Sequence, residues 1–289
     1  MYIRSVFNIR QGIPMPLRYI CFLLCFFPVC ASRGMAQGTY TEIDFPSALM
    51  TQANAVNRAG TIVGSYTDLT GGHGFLLQDG VYTTIDYPGA QYSYALGIND
   101  KGQIVGLAEP VGYLYDFNSQ SFTSIQYPRA LYSYPVAINN ASSIAGYFQK
   151  RDLVYQGFEV ANRGFAEIVP PNSTAAFVTG IDTVGDLFGY AQINGSYSNF
   201  IFRQGQFQTI NIPASAAFVL GTNPAGTALV GYYQAFSGTK GFVLRNRVLQ
   251  TLSFPGAITT IASGINASGE VVGYFIDSSD VTHGFLWKP

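Results

Sequence analysis

Charge is scarce in this chain: Asp, Glu, Lys and Arg make up 11% of 289 residues, and there are two histidines, one tryptophan and three cysteines. All three cysteines, Cys21, Cys25 and Cys30, fall near the start. The remainder therefore holds no disulfide, no thiolate nucleophile and no cysteine-ligated zinc, and about 250 residues must fold on packing alone. Basic blocks are lacking too. Four of the 15 basic residues, Arg4, Arg10, Arg18 and Arg33, and none of the 16 acidic ones precede residue 37, which leaves a net charge near −5 beyond it. That balance argues against nucleic acid and anionic membranes as partners.

Long apolar runs are absent apart from Tyr19 to Ala31. This run is short of the ~20 residues that span a bilayer, and it follows three arginines and precedes small residues, the layout of a secretory signal. Cleavage after Ala31 or Ala36 fits, with Ala36 preferred, so residues 1–36 read as a signal peptide and 37–289 as one domain. A retained anchor is the competing reading, and Val29 is a poor neighbour for a lipidated Cys30. No membrane insertion is expected after cleavage. The protein is expected to be secreted, periplasmic or held at the cell surface.

Against these absences stands a repeat. GINASGEVVG (Gly264 to Gly273) recurs as AVNRAGTIVG from Ala55, GINDKGQIVG from Gly97, AINNASSIAG from Ala137, GIDTVGDLFG from Gly180 and, one residue longer, GTNPAGTALVG from Gly221. Segments such as YTEIDFP and YTTIDYP end in Pro46, Pro88, Pro128, Pro171, Pro213 and Pro255, spaced 42, 40, 43, 42 and 42 residues apart. A third motif, HGFLL from His73 to HGFLW from His283, falls between them. Ile85 and Tyr87 alternate with Thr84 and Asp86, so one face of that strand is buried.

Four strands in about 42 residues is the arithmetic of a propeller blade. The fold class expected is all-β: a six-bladed β-propeller of four-stranded blades. Two residues before each turn Asn or Asp stands Ala or Gly (Ala55, Gly97, Ala137, Gly180, Gly221, Gly264), which suits a crowded strand nearest the axis. The other strands follow outward in chain order. The first outer-type strand precedes any inner strand and the last repeat stops one strand short, so Tyr40 to Pro46 is expected beside Val281 to Trp287, closing the ring and removing two open edges.

The run GINDKGQIVG, followed by units such as HGFLLQDG, resembles the HAF-type extracellular repeat proteins of bacteria, over essentially the whole chain beyond the leader. Gly74 and Gly284 stand where that family usually has Ala, and His is kept in two of six units. The resemblance implies an exported bacterial repeat protein and no defined activity.

Candidate sites divide by chemistry. Asn57, Asn99, Asn139, Asp182, Asn223 and Asn266 form a ring in the expected fold, and a turn role is preferred to a ligand role because Asn and Asp bond their own backbone in tight turns. His73 and His283 recur at one repeat position, unlike a unique catalytic base, and no carboxylates with ligand spacing are evident beside them. No metal and no cofactor are expected. Nor is there a nucleophile elbow, phosphate loop or zinc signature. Asp68, Glu109, Asp152, Asp277 and Asp280 fall in loops joining second and third strands, and Glu109 with Asp277 are the acid and base candidates for glycosidic chemistry. Tyr92, Tyr94, Tyr132 and Tyr134, in PGAQYSY and PRALYSY, reach the same face and suit sugar stacking or a protein interface. Tyr94 and Tyr134 read equally as filler between blades. The expectation is an exported, non-catalytic binding or surface module, lectin-like toward glycan; a polysaccharide-active enzyme and a scaffold for another exported protein are the alternatives.

Overall fold

The computed structural model describes residues 38–162 and 164–289. The expected signal peptide therefore lies outside the described residues. Strand β1 (Thr39–Ile43) comes first. Blade 1 is β2 (Met50–Val56), β3 (Ile62–Thr67), β4 (Gly72–Gln78) and β5 (Val81–Ile85). Blade 2 is β6 (Tyr94–Ile98), β7 (Gln103–Ala108), β8 (Val111–Asp116) and β9 (Ser121–Ile125). Blade 3 is β10 (Tyr132–Ile138), β11 (Ile144–Gln149), β12 (Tyr155–Ala161) and β13 (Gly164–Ile168). Blade 4 is β14 (Ser173–Ile181), β15 (Leu187–Ile193), β16 (Ser196–Arg203) and β17 (Gln206–Ile210). Blade 5 is β18 (Phe218–Thr222), β19 (Ala228–Ala235), β20 (Gly238–Arg245) and β21 (Val248–Leu252). Blade 6 is β22 (Thr259–Ile265), β23 (Val271–Ile276) and β24 (Thr282–Lys288), completed by β1.

Every sheet is antiparallel and ordered outward as the sequence implies, and β1 pairs with β24, setting Tyr40 opposite Trp287 and Ile43 opposite Gly284. Neighbouring inner strands touch all the way round, β22 meeting β2. The core lies between blades: Val63, Leu76 and Ile85 of blade 1 pack on Ala95, Ile98 and Ile104 of blade 2. The same pattern puts Val230, Val243 and Leu252 against Ala262, Phe275 and Phe285.

One irregularity recurs in all six inner strands. The register with the second strand skips one residue, namely Asn54, Leu96, Val136, Thr179, Leu220 and Ser263. Such a bulge bends the strand and re-aims the extra residue, here into the axial channel. It also explains the last glycine of each hairpin motif. A Cβ on Gly64, Gly106, Gly146, Gly189, Gly231 or Gly273 would overlap the inner-strand carbonyl oxygen just before the bulge, so no other residue fits there. The small residues two before the turn have a related cause: a Cβ on Gly97 would lie 2.7 Å from the Val136 oxygen of the next blade.

The turn asparagines hold their own turns as expected. Asn57 Oδ1 accepts the Ala59 and Thr61 amides, and Asn99 and Asn139 do the same two and four residues on. They are not isolated from one another, however. Asn99 Nδ2 donates to the Asn139 carbonyl (3.0 Å), Asn139 to Asp182 (2.9 Å) and Asn266 to Asn57 (3.1 Å), with a longer link from Asn57 to Asn99. The belt changes hands at Asp182, which has no amide to donate. There the Thr183 amide and hydroxyl both reach the Pro224 carbonyl.

Candidate functional site

The loops joining second to third strands and those joining blade to blade emerge on one face, here called the loop face; the asparagine belt lies on the other, where Asn223 bonds only its own turn. Between them runs an axial channel of about 280 Å³ lined by the inner strands of all six blades. At its loop-face end each blade contributes a cross-strand pair. The pairs are Tyr94–Leu107, Tyr134–Tyr147, Phe177–Tyr190, Phe218–Tyr232 and Ile261–Tyr274 in blades 2 to 6.

In blades 3 to 5 these rings stack within each blade at 4.8, 5.0 and 5.2 Å. Tyr147 then meets Phe177, and Tyr190 meets Phe218, edge to face at 5.1 and 5.0 Å, making a continuous aromatic belt. Burial leaves its phenols hard to ionise. Tyr190 is pushed up to about 12 by desolvation, then by Tyr232 and Tyr197. Tyr134 is pushed up to about 12 by desolvation, then by Tyr155 and Glu109.

Blade 1 breaks the belt. Its pair is Gln52–Ser65, an amide and a small hydroxyl where every other blade carries rings or aliphatic bulk. The space left is a pocket of about 370 Å³ between blades 1 and 2, lined by Met50, Gln52, Asn54, Ser65, Tyr94 and Leu96 among others. Asn54 and Leu96 also line the axial channel, so the two spaces adjoin. Asn54 Nδ2 donates to the Ala95 carbonyl at 2.9 Å, which fixes the amide and leaves its Oδ1 free to accept. Tyr94 forms the opposite wall, its ring resting over Gly72, where a Cβ would lie 2.7 Å from the hydroxyl.

The four sequence-nominated tyrosines thus divide. Tyr94 is pocket wall and rests on Gly72 of the neighbouring blade, whereas Tyr134 is part of the belt and stacks within its own blade on Tyr147. Tyr92 is the most open of them, 42% exposed, while Tyr132 stacks on Tyr134 at 6.2 Å and is half-buried. Glu109 lies near enough to Tyr94 and Tyr134 to disfavour their ionisation. Asp277 is elsewhere, on blade 6. Its Oδ1 accepts the Ser279 and Val281 amides and its Oδ2 lies 3.8 Å from His283 Nε2, which holds the carboxyl below the usual range, chiefly through the Val281 amide. Blade 1 stands between the two carboxylates, and they do not form a pair.

The histidines have partners that sequence reasoning missed. His73 Nδ1 lies 3.0 Å from Asp86 and Nε2 lies 2.9 Å from the Thr70 hydroxyl; the ring stacks on Tyr66. His283 Nδ1 lies 2.9 Å from Asp44 Oδ2 and 3.6 Å from Glu42 Oε1, with the ring on Phe275. Carboxylates do stand beside these histidines, which corrects the sequence-based expectation. The signal was available in the repeat: outer strands carry IDFP or IDYP only where the paired third strand carries His, and Gln126, Val169, Asn211 or Ser253 elsewhere.

The architecture defines a six-bladed, four-stranded β-propeller closed by its N-terminal strand. No family model matches the sequence, and no curated protein matches it. Among solved structures it is similar to TolB from Acinetobacter baumannii, with a TM-score of 0.57 and 9% identity over 84% of this chain and 64% of that one. It is also similar to the propeller domain of the Trilobed protease from Pyrococcus furiosus (TM-score 0.55, 11% identity, 83% and 81% covered), which is described as having an open velcro topology. A third likeness is Aleuria aurantia lectin, solved as a mutant in complex with Fucalpha1-6GlcNAc (TM-score 0.50, 12% identity, 83% and 93% covered). The chain spans under two thirds of that TolB, and at these identities the likeness is one of fold alone.

Proposed function

We propose that this protein is an exported, non-catalytic binding module that takes carbohydrate on its loop face, with one sugar unit seated between blades 1 and 2. The observation that carries the reading is the Gln52–Ser65 pair: one blade in six gives up its bulky pair, and the pocket appears there. Its lining suits a sugar. A phenol wall from Tyr94 offers a ring face, and the Gln52, Asn54 and Ser65 side chains offer donors and acceptors for hydroxyls. A volume of about 370 Å³ falls within the range of small-molecule sites.

The surrounding face supports binding. Leu69, Tyr92, Leu131, Leu153, Phe236 and Ile258 are exposed there, around the ring. Export rests on the leader composition and on the resemblance to HAF-type extracellular repeats. Aleuria aurantia lectin, solved with Fucalpha1-6GlcNAc, is a precedent for a similar fold holding a sugar, and no more than that.

A glycan-array screen of the purified chain, with each retained glycan then incubated and checked for cleavage, tests the proposal. Retention without cleavage is the expected result. Cleavage would transfer the argument to a carboxylate such as Glu109, and retention of no glycan would overturn the carbohydrate reading in favour of a protein partner.

A further inference from the structure

Ring closure brings together groups that neither end of the chain holds alone. Glu42 and Asp44 come from β1 and its exit, His283 from β24, and one ligand atom from each lies within 4.8 Å of the others. The geometry points to a divalent transition-metal site, of the kind zinc occupies, that staples the first strand to the last.

The case rests on comparison with the sister arrangement in blade 1. His73 there is saturated: Asp86 takes Nδ1 and the Thr70 hydroxyl takes Nε2. The position of Glu42 is Thr84, whose hydroxyl is engaged with the Tyr66 hydroxyl at 3.0 Å. In blade 6 both members of that second pair change together, Tyr66 to Phe275 and Thr84 to Glu42. The exchange deletes a hydroxyl pair and adds a carboxylate with no hydroxyl to bond. Two carboxylates then face one imidazole from the same side and repel each other, Asp44 Oδ2 at 2.9 Å and Glu42 Oε1 at 3.6 Å from Nδ1. A dication removes that repulsion.

The donor set selects the ion. One imidazole nitrogen with two carboxylate oxygens suits zinc and its first-row neighbours, whereas calcium and magnesium prefer oxygen alone. Three protein ligands on the solvent side leave a position for water. With metal on Nδ1 the ring proton sits on Nε2, which faces Asp277 Oδ2 at 3.8 Å. Metal-bound histidines are commonly oriented by such an outer carboxylate. Asp277 is itself held by the Ser279 and Val281 amides, so the orienting group is fixed in advance.

The test is equilibrium dialysis of the chelator-stripped full chain, with Cys21, Cys25 and Cys30 changed to Ser so that no thiolate competes, against zinc chloride near neutral pH, with thermal midpoints measured with and without the metal. One zinc per chain and a raised midpoint are expected. Both are lost in Glu42→Thr, which copies the blade 1 residue, and in His283→Gln, which copies Gln156 of blade 3. Both persist in His73→Gln, and Asp277→Asn weakens binding about tenfold or more. Circular dichroism establishes that each variant is folded. No bound zinc in the parent chain overturns the site, as does zinc retained undiminished by Glu42→Thr and His283→Gln.

Discussion

If the N-terminal strand is a full member of blade 6, its buried residue must cost as much to truncate as the same residue in a blade made from continuous chain. Ile43 is 4% exposed and Ile85 3%. Ile43 packs with Ala53, Val56 and Phe75 of blade 1, and Ile85 packs with Ala95, Ile98 and Ile104 of blade 2. Changing either to Ala removes three carbons, which at about 0.8 kcal/mol each is about 2.4 kcal/mol of transfer free energy. The cavity left in a site that relaxes only partly brings the total to about 3–4 kcal/mol. Equilibrium denaturation in urea reads both variants, provided the slope with denaturant is unchanged. The two losses are expected to agree within about 0.5 kcal/mol. A loss near zero for Ile43→Ala beside a loss of several kcal/mol for Ile85→Ala would show that β1 is not docked, and the closure argument would fail.

Gly273→Ala drives a methyl group into the Ile261 carbonyl and is expected to cost about 3 kcal/mol. Gly164→Ala, whose nearest neighbour is 3.6 Å away, is expected to stay within about 0.5 kcal/mol in the same denaturation assay. Asp182→Asn keeps the acceptor that holds its turn, supplies a belt donor and removes a buried carboxylate, so a gain of about 1 kcal/mol is expected, seen as a raised thermal midpoint. Tyr134 and Tyr190, both pushed up to about 12 by desolvation first, contribute stability that is complete below the ordinary phenol value near 10 and is lost as pH climbs through their folded values. Ultraviolet titration should find these phenols silent at pH 11 in the folded chain; ionisation there alongside the exposed tyrosines would contradict the belt.

The blades were legible because their signals are local. Each tight turn needs its Asn or Asp, each outer strand ends three residues before a Pro, and the near-constant spacing of Pro46 to Pro255 survives every substitution between them. The closure was legible for a topological reason, an unpaired strand at one end and a missing one at the other. What escaped sequence reasoning lies between strands and between blades. The carbonyl that forbids a side chain at Gly64 belongs to Gln52, and the oxygen that crowds Gly97 belongs to Val136 of the next blade. Neither neighbour is visible until the bulge is placed.

The site was half legible for the same reason. Of the tyrosines nominated by their ring chemistry only Tyr94 lines the pocket, and beside it stand the unremarkable Gln52 and Ser65. They matter only because five sister pairs are larger, a comparison that requires knowing which inner-strand residue faces which second-strand residue. The link from His283 to Asp44 crosses nearly the whole chain and depends on register at the seam.

The gap in blade 1 is the proposed binding site. Its most direct test is calorimetric titration of the best array glycan into the parent chain and into Ser65→Tyr, which installs the residue that Tyr147, Tyr190, Tyr232 and Tyr274 already place at this position. Ser65→Tyr is expected to keep its thermal midpoint and to weaken binding at least tenfold. Full affinity in a folded Ser65→Tyr would place the sugar elsewhere and contradict the claim.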